Sequence, residues 1–342
     1  MQRIGVVLFQ LGGPDSLDAV EPFLYNLFLD PDIIDFPLAK LARPVLARLI
    51  AASRARKVRH HYQEIGGRSP IRELTQRQAA ALEAELGRSL DARVVVAMRY
   101  WHPFSADAIR RLECDGVERL VLLPMYPQYS STTTGSSLKE WRRRVALSPL
   151  ESVSSTVIRD FYRHPAYLDA LADQIRHSLA AFDPAEPPQL VFSAHNVPVS
   201  VIRAGDPYQA QIEETVRLLM RRGRWDLPAH LCYQSKVGGA VWLSPTLDET
   251  IRRLGAQGVR RLLVIPIAFV SDHVETLSEI DIHARQLASK CGIRQFAMMP
   301  GLNDSPAFIG ALAELVESAL GAAASSSLPE TTCANPGWPV AE

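Results

Sequence analysis

Two stretches of the 342-residue chain carry side chains able to move protons or hold a first-row cation. In LVFSAHNVP, His195 ends an apolar run and precedes the turn Asn196-Val197-Pro198. A histidine there is held by rigid backbone and faces whatever lies beyond the strand. In SDHVETLSEIDIHA, residues 271–284, Glu275, Glu279 and His283 recur every four positions. On an α-helix beginning near Asp272 they would share one face, drifting about 40° per step. Asp272 is a reasonable N-cap for such a helix. An imidazole and a ladder of carboxylates facing one cleft offer nitrogen and oxygen ligands to Fe2+, Co2+ or Zn2+. Cys114, Cys232, Cys291 and Cys333 are scattered with no CxxC pair, so neither a thiolate cage nor a disulfide framework is indicated. Plainer duties suit the same residues: a hydrogen-bonded structural histidine, and an acidic helix start favoured by its dipole.

Other candidate residues follow other apolar runs: Arg99, Tyr100 and His102, then Tyr126, Gln128 and the hydroxyls of 130–134, then Phe269 and His273. Tyr62, Tyr100, Tyr126, Trp242 and Phe269 supply flat surfaces that suit either a core or a planar macrocycle. The chain has no GxGxxG loop and no P-loop, so a nucleotide cofactor is not expected. A hydrolase built on Ser193 and His195 would lack the GxSxG elbow.

The elements that must position these groups alternate in period. Val, Ile and Leu runs predict strands over 3–10, 93–99, 118–124, 189–194, 229–234 and 260–267. Helical spacing falls between them, over 73–88, 103–113, 166–181, 208–222, 246–255 and 275–290. That alternation predicts parallel sheets flanked by helices. The chain also repeats itself. IRRLECDGVERLVLLP (109–124) matches IRRLGAQGVRRLLVIP (251–266) at 9 of 16 positions with an offset of 142, and Pro103 falls on Pro245 in the same register. The pattern predicts two similar α/β halves, 1–160 and 161–320, with a cleft between them.

Laying LFQLGGP on VFSAHNVP places Gly12 opposite His195 and leaves the first half with about 41 extra residues, best placed at about 20–60. That insertion mixes aromatics and aliphatics with Arg54, Arg56, Lys57 and Arg59, without a clean strand or helix pattern. It reads as a packing helix with a solvated face, or as a lip whose cations await anionic groups on a large flat ligand. The tail 321–342 is rich in Ala, Ser, Thr and Pro and is expected to be disordered.

The 37 basic and 37 acidic residues cancel, which argues against nucleic-acid binding by bulk charge. A composition of 47% hydrophobic and 22% charged residues is that of a folded chain. No window of about 18 consecutive apolar residues occurs, so a soluble or peripheral cytoplasmic protein is expected.

From about residue 3 to 318 the chain resembles the ferrochelatase family. LFQLGGPDS, YQEIGGRSPI, AMRYWHPF, LPMYPQYSSTTTGSS, FSAHNVP, YQSKVGGAVWLSP and PIAFVSDHVETLSEID carry the resemblance, in family order. It implies two Rossmann-like, chelatase-type halves around a porphyrin cleft, and insertion of Fe2+ as substrate with release of two protons. Protoporphyrin IX is the expected porphyrin. By the same resemblance His195 and Glu275 contact the metal or take pyrrole protons, with His273 supporting them. Asp272 and Glu279 lie on a proton or metal path. Arg99, Tyr100, Trp242 and Phe269 line the cleft, Tyr62 belongs to the lip, and Arg54, Lys57 and Ser69 meet porphyrin carboxylates. Peripheral membrane contact through the lip is a further option. Asn196 replaces a commoner glycine, and His283 stands where an acid is commoner. Ser131 occupies the place of a cysteine that ligates an iron–sulfur cluster in some relatives. Neither a cluster nor another permanently bound cofactor is therefore expected.

Overall fold

The computed structural model describes residues 2–33, 39–236 and 239–325. In β1, Ile4–Gln10, every residue is buried, as expected of a parallel strand covered on both faces. It pairs with β2, Ala92–Met98, on one side and β3, Arg119–Pro124, on the other. The edge strand β4, Ser154–Val157, completes a parallel sheet of order β2-β1-β3-β4. The second half repeats this order. Its strands are β5, Gln189–His195, β6, Ala229–Gln234, β7, Arg261–Pro266, and β8, Gln295–Met298, arranged β6-β5-β7-β8. The four-residue edge strands β4 and β8 are too short to show a period in the sequence.

Backbone register corrects one expected correspondence. Phe9 pairs with Pro124, and Ser193 pairs with Pro266. Since the two prolines are equivalent, Leu11 stands opposite His195, and Gly12 stands opposite Asn196. At these opposed positions Gly12 turns the chain at φ +87°, whereas Asn196 takes no positive φ.

Each sheet has its own buried cluster, and a further one draws side chains from both halves. Val6 and Leu8 of β1, Leu82 of helix Ile71–Leu86, Leu190 and Phe192 of β5, and Phe308 of the C-terminal helix belong to the same buried cluster. The insertion is more regular than its mixed pattern suggests. It folds as α1, Val20–Leu29, and α2, Ala39–Glu64. Ala47, Ala51 and Ala55, buried at i, i+4 spacing, form a small-residue stripe within the cluster that includes Val20, Phe23 and Phe28 of α1. Residues 34–38 of the lip lie outside the described residues. The helix Pro306–Ser325 takes in the first part of the expected disordered tail, in keeping with its alanines. Residues 326–342 lie outside the described residues.

The stretch after β7 differs from an α-helix. Glu275–Ala284 is a π-helix, followed by an α-helical turn over Arg285–Lys290. The Arg285 N–H reaches back five residues to the carbonyl of Ile280. A shorter π segment, Ser131–Gly135, occupies the matching region after β3. π-helical turns are rare and recur at functional sites.

Candidate active site

The carboxyl ends of β5 and β7 bring the two singled-out stretches together, where parallel sheets place ligands. His195 is the last residue of β5, and its Nδ1 lies 2.7 Å from Oε2 of Glu275, the first residue of the π-helix. The imidazole is 39% exposed, open to the cleft, while Glu275 is 16% exposed. Tyr208 donates its hydroxyl to the His195 carbonyl at 2.9 Å, fixing the strand end. The buried His273 places Nδ1 3.1 Å from the Ser271 carbonyl, and its Nε2 lies 3.9 Å from Glu275 Oε1. Phe269 fills the space between the rings, edge-on to His195 at 6.2 Å and to His273 at 4.4 Å.

Ser235 joins the acids. Its Oγ donates to Glu275 Oε2 at 3.1 Å and approaches Glu279 Oε2 at 2.5 Å. It does so from a left-handed backbone conformation, φ 65°, a strain that tends to cluster at working sites. Burial pulls the His195 pKa down, but the charge and hydrogen bond of Glu275 outweigh it and hold the imidazole above its ordinary range. Burial pushes Glu275 up, and His195 more than offsets this, keeping the acid ionised well below the usual carboxylate range. Glu279 is pushed up to about 7, first by burial and then by the charge of Glu275. Desolvation lowers His273 despite the neighbouring Glu275. A base stronger than free imidazole thus stands beside a carboxyl that titrates near neutrality.

The cleft encloses about 90 Å³ in this structure, below the ordinary range for small-molecule sites. Gln10, Leu11 and Tyr126 face it from the first half, and His195, Phe269 and Glu275 from the second. Among the described residues, no group of three His, Cys, Asp or Glu side chains forms a metal cage.

Other predicted residues have other partners. The Asp272 carboxylate accepts from Gly301 N–H and Asn303 Nδ2, and Thr276 donates its hydroxyl to it; Asp272 does not cap the π-helix. The Arg99 guanidinium pairs with Asp30 at 2.8 Å and its Nε donates to Ser136. The Tyr100 hydroxyl donates to the same Asp30 at 2.6 Å, and its ring is fully buried. Both residues therefore anchor the end of α1. Tyr62 is buried in the lip cluster close enough to Glu275 and Glu279 for their charges, after burial itself, to raise its pKa. Ser69 is buried and its Oγ accepts from the Ile71 N–H at 3.4 Å. A methyl group on Gly13 would come within 2.6 Å of it. Arg54 lies over the Phe28 ring at 6.0 Å, and Lys57 is exposed on α2. Trp242 bridges to Pro198 beside the histidine turn. Asn196, which takes no positive φ, donates Nδ2 to the Leu243 carbonyl at 3.1 Å. Ser193 is fully buried and donates to Gln234, which removes it as a nucleophile.

Sequence reasoning passed over Asp30, Ser235 and Tyr208. Ser235 carried a signal, as it directly follows β6. Asp30 carried none, because its partners Arg99, Tyr100 and Ser136 are distant in the chain, and Tyr208 carried none, because its partner is a backbone carbonyl that side-chain patterns do not mark.

The architecture is that of the chelatases. SirB from Bacillus subtilis, solved with Fe3+, superposes with a TM-score of 0.55 at 11% identity, covering 95% of this chain and 98% of that one. The Bacillus subtilis subspecies spizizenii sirohydrochlorin chelatase SirB in complex with cobalt gives 0.54 at 10% identity, covering 94% and 97%. The Ferrochelatase family model matches residues 3–320. Curated ferrochelatases of Aquifex aeolicus and Geobacter metallireducens are each 48% identical, covering 92% and 93% of this chain and 98% and 99% of their own. That of Cyanothece sp. is 47% identical over 94% of this chain and 83% of its own. The chain belongs to the ferrochelatase family, enzymes of haem synthesis that insert iron into a porphyrin.

Proposed function

We propose that this chain inserts Fe2+ into protoporphyrin IX, with His195 as the base that takes the pyrrole protons and Glu275 as its partner. The observation that carries this reading is the 2.7 Å contact of His195 Nδ1 with Glu275, which leaves Nε2 as the ring nitrogen for an incoming N–H. In the reaction two N–H bonds break, four Fe–N bonds form and two protons leave. A raised imidazole pKa favours taking each proton, and the Glu275 charge steadies the imidazolium that results. Ser235 and Glu279 then stand next in line to pass the proton outward.

A flat porphyrin hides its nitrogens in the ring plane, so the cation needs the ring bent. A cleft complementary to the bent ring lowers the barrier, with Phe269 as a ring contact and Arg54 and Lys57 of the lip supplying charge for the propionates. Asp272, held by the loop at Gly301 and Asn303, sets the entrance of the path. Val45 and Leu49, exposed and four apart on α2, give the lip an apolar outer face for peripheral contact with a membrane surface. No helix among the described residues is long and apolar enough to cross a membrane.

Anaerobic assays of the purified protein with Fe2+ and either protoporphyrin IX or coproporphyrin III, followed by absorbance, test the reading. Faster turnover of protoporphyrin supports it, and turnover of coproporphyrin alone would replace the substrate.

A further inference from the structure

The π-helix beneath the site is gripped from the lip. Glu64, the last residue of α2, is 19% exposed and divides its carboxylate between two residues of that helix. Ser278 donates its hydroxyl to Oε2 at 2.7 Å, and His283 Nε2 lies 3.0 Å from Oε1. Ser278 is fully buried. The His283 ring meets His61 of α2 edge-on at 4.9 Å, and His60 Nε2 lies 3.7 Å from Glu64 Oε1.

Ser278 and His283 are five residues apart. On an α-helix such residues point about 140° away from each other, too far for one carboxylate to hold both. Where the turn closes with i→i+5 bonds, the fifth residue returns near the same edge. The two-armed contact therefore fits the π form and opposes the α form. A ten-residue π stretch needs such support, since these turns ordinarily survive only as short bulges. The contact also accounts for His283, whose Nε2 meets a lip carboxylate that an acid at this position would repel.

We propose that Glu64 is a positioning residue for iron insertion: it keeps residues 275–284 π-helical and so holds Glu275 against His195. The proposal rests on His195 and Glu275 being the reacting pair, but the helix form can be read independently of turnover.

The test compares Glu64→Ala with Glu64→Gln, whose amide keeps an oxygen and an N–H for the same two partners. Glu64→Ala should lose about tenfold or more in kcat with porphyrin KM changed by less than about twofold. Glu64→Gln should recover at least about half of the parental kcat. A crystal structure of Glu64→Ala should show i→i+4 bonds within 275–284. Parental kcat in Glu64→Ala, a loss that Glu64→Gln leaves unrepaired, or an unchanged π ladder would each overturn the proposal. If Glu64→Ala does not fold, Ser278→Ala combined with His283→Ala is read by the same two criteria. Absence of iron insertion in the parent would reject the reaction instead, while the helix form in the variant still decides the role of Glu64.

Discussion

His195 at the end of β5 and Glu275 at the start of the π-helix meet, Nδ1 to Oε2 at 2.7 Å, although 80 residues separate them in the chain. The ring is thereby oriented and its basicity raised in one contact. Replacing His195 by Ala removes the base while leaving the cleft walls in place. Insertion of Fe2+ should fall by about 100-fold or more, whereas porphyrin affinity, read by fluorescence quenching, should stay within about threefold. Turnover at the parental rate would exclude the imidazole from proton transfer.

Glu275→Gln keeps the shape and removes the charge. Without that charge, burial dominates His195 and its pKa falls. The neutral base is the active form, so the acidic limb of the kcat profile should move to lower pH, and the maximum rate should drop by about tenfold as the base weakens. Stopped-flow absorbance across pH 5.5 to 8.5 measures both; an unmoved limb would assign it to another group.

Much of this arrangement was legible in the sequence. Continuous apolar runs such as IGVVLFQ mark parallel strands wherever they occur, and the offset of 142 announced a repeated half. His195 stood out because it ends such a run, and Glu275 because it recurs with Glu279 and His283 every four positions. The π geometry was not legible, since acids every four residues satisfy an α-helix almost equally well. Nor could the spacing show that Arg99 and Tyr100 serve Asp30, because an ion pair 69 residues apart leaves no local pattern. The second lip helix, α2, was hidden for a different reason: alanines, not large aliphatics, form its contact stripe against Val20, Phe23 and Phe28 of α1.

Glu279 makes stability depend on pH. Its folded pKa, up to about 7 from an ordinary 4.5, lies above that of the unfolded chain. The folded state therefore binds more protons in that window, and its contribution is complete below about pH 4.5 and lost as pH rises through about 7. Glu279→Gln abolishes this term. The Tm difference between variant and parent should favour the variant increasingly from pH 5 to pH 7.5 in differential scanning calorimetry. A difference independent of pH would show that Glu279 titrates as an ordinary exposed acid.

Asp30 holds the lip to the first half with a side chain of 0% exposure, paired to Arg99 and accepting from Tyr100 and Ser136. Removing one member of a buried pair leaves the other charge without compensation. Asp30→Ala should therefore destabilise the protein by about 3 kcal/mol or more in urea unfolding. Asp30→Asn, which still accepts from Tyr100 or Arg99, should lose less. Because α1 and α2 pack together and α2 carries Arg54 and Lys57, a loosened anchor should also raise the porphyrin KM of Asp30→Asn more than it lowers kcat. Equal loss in the two parameters would mean that Asp30 supports the reacting groups themselves and not the lip.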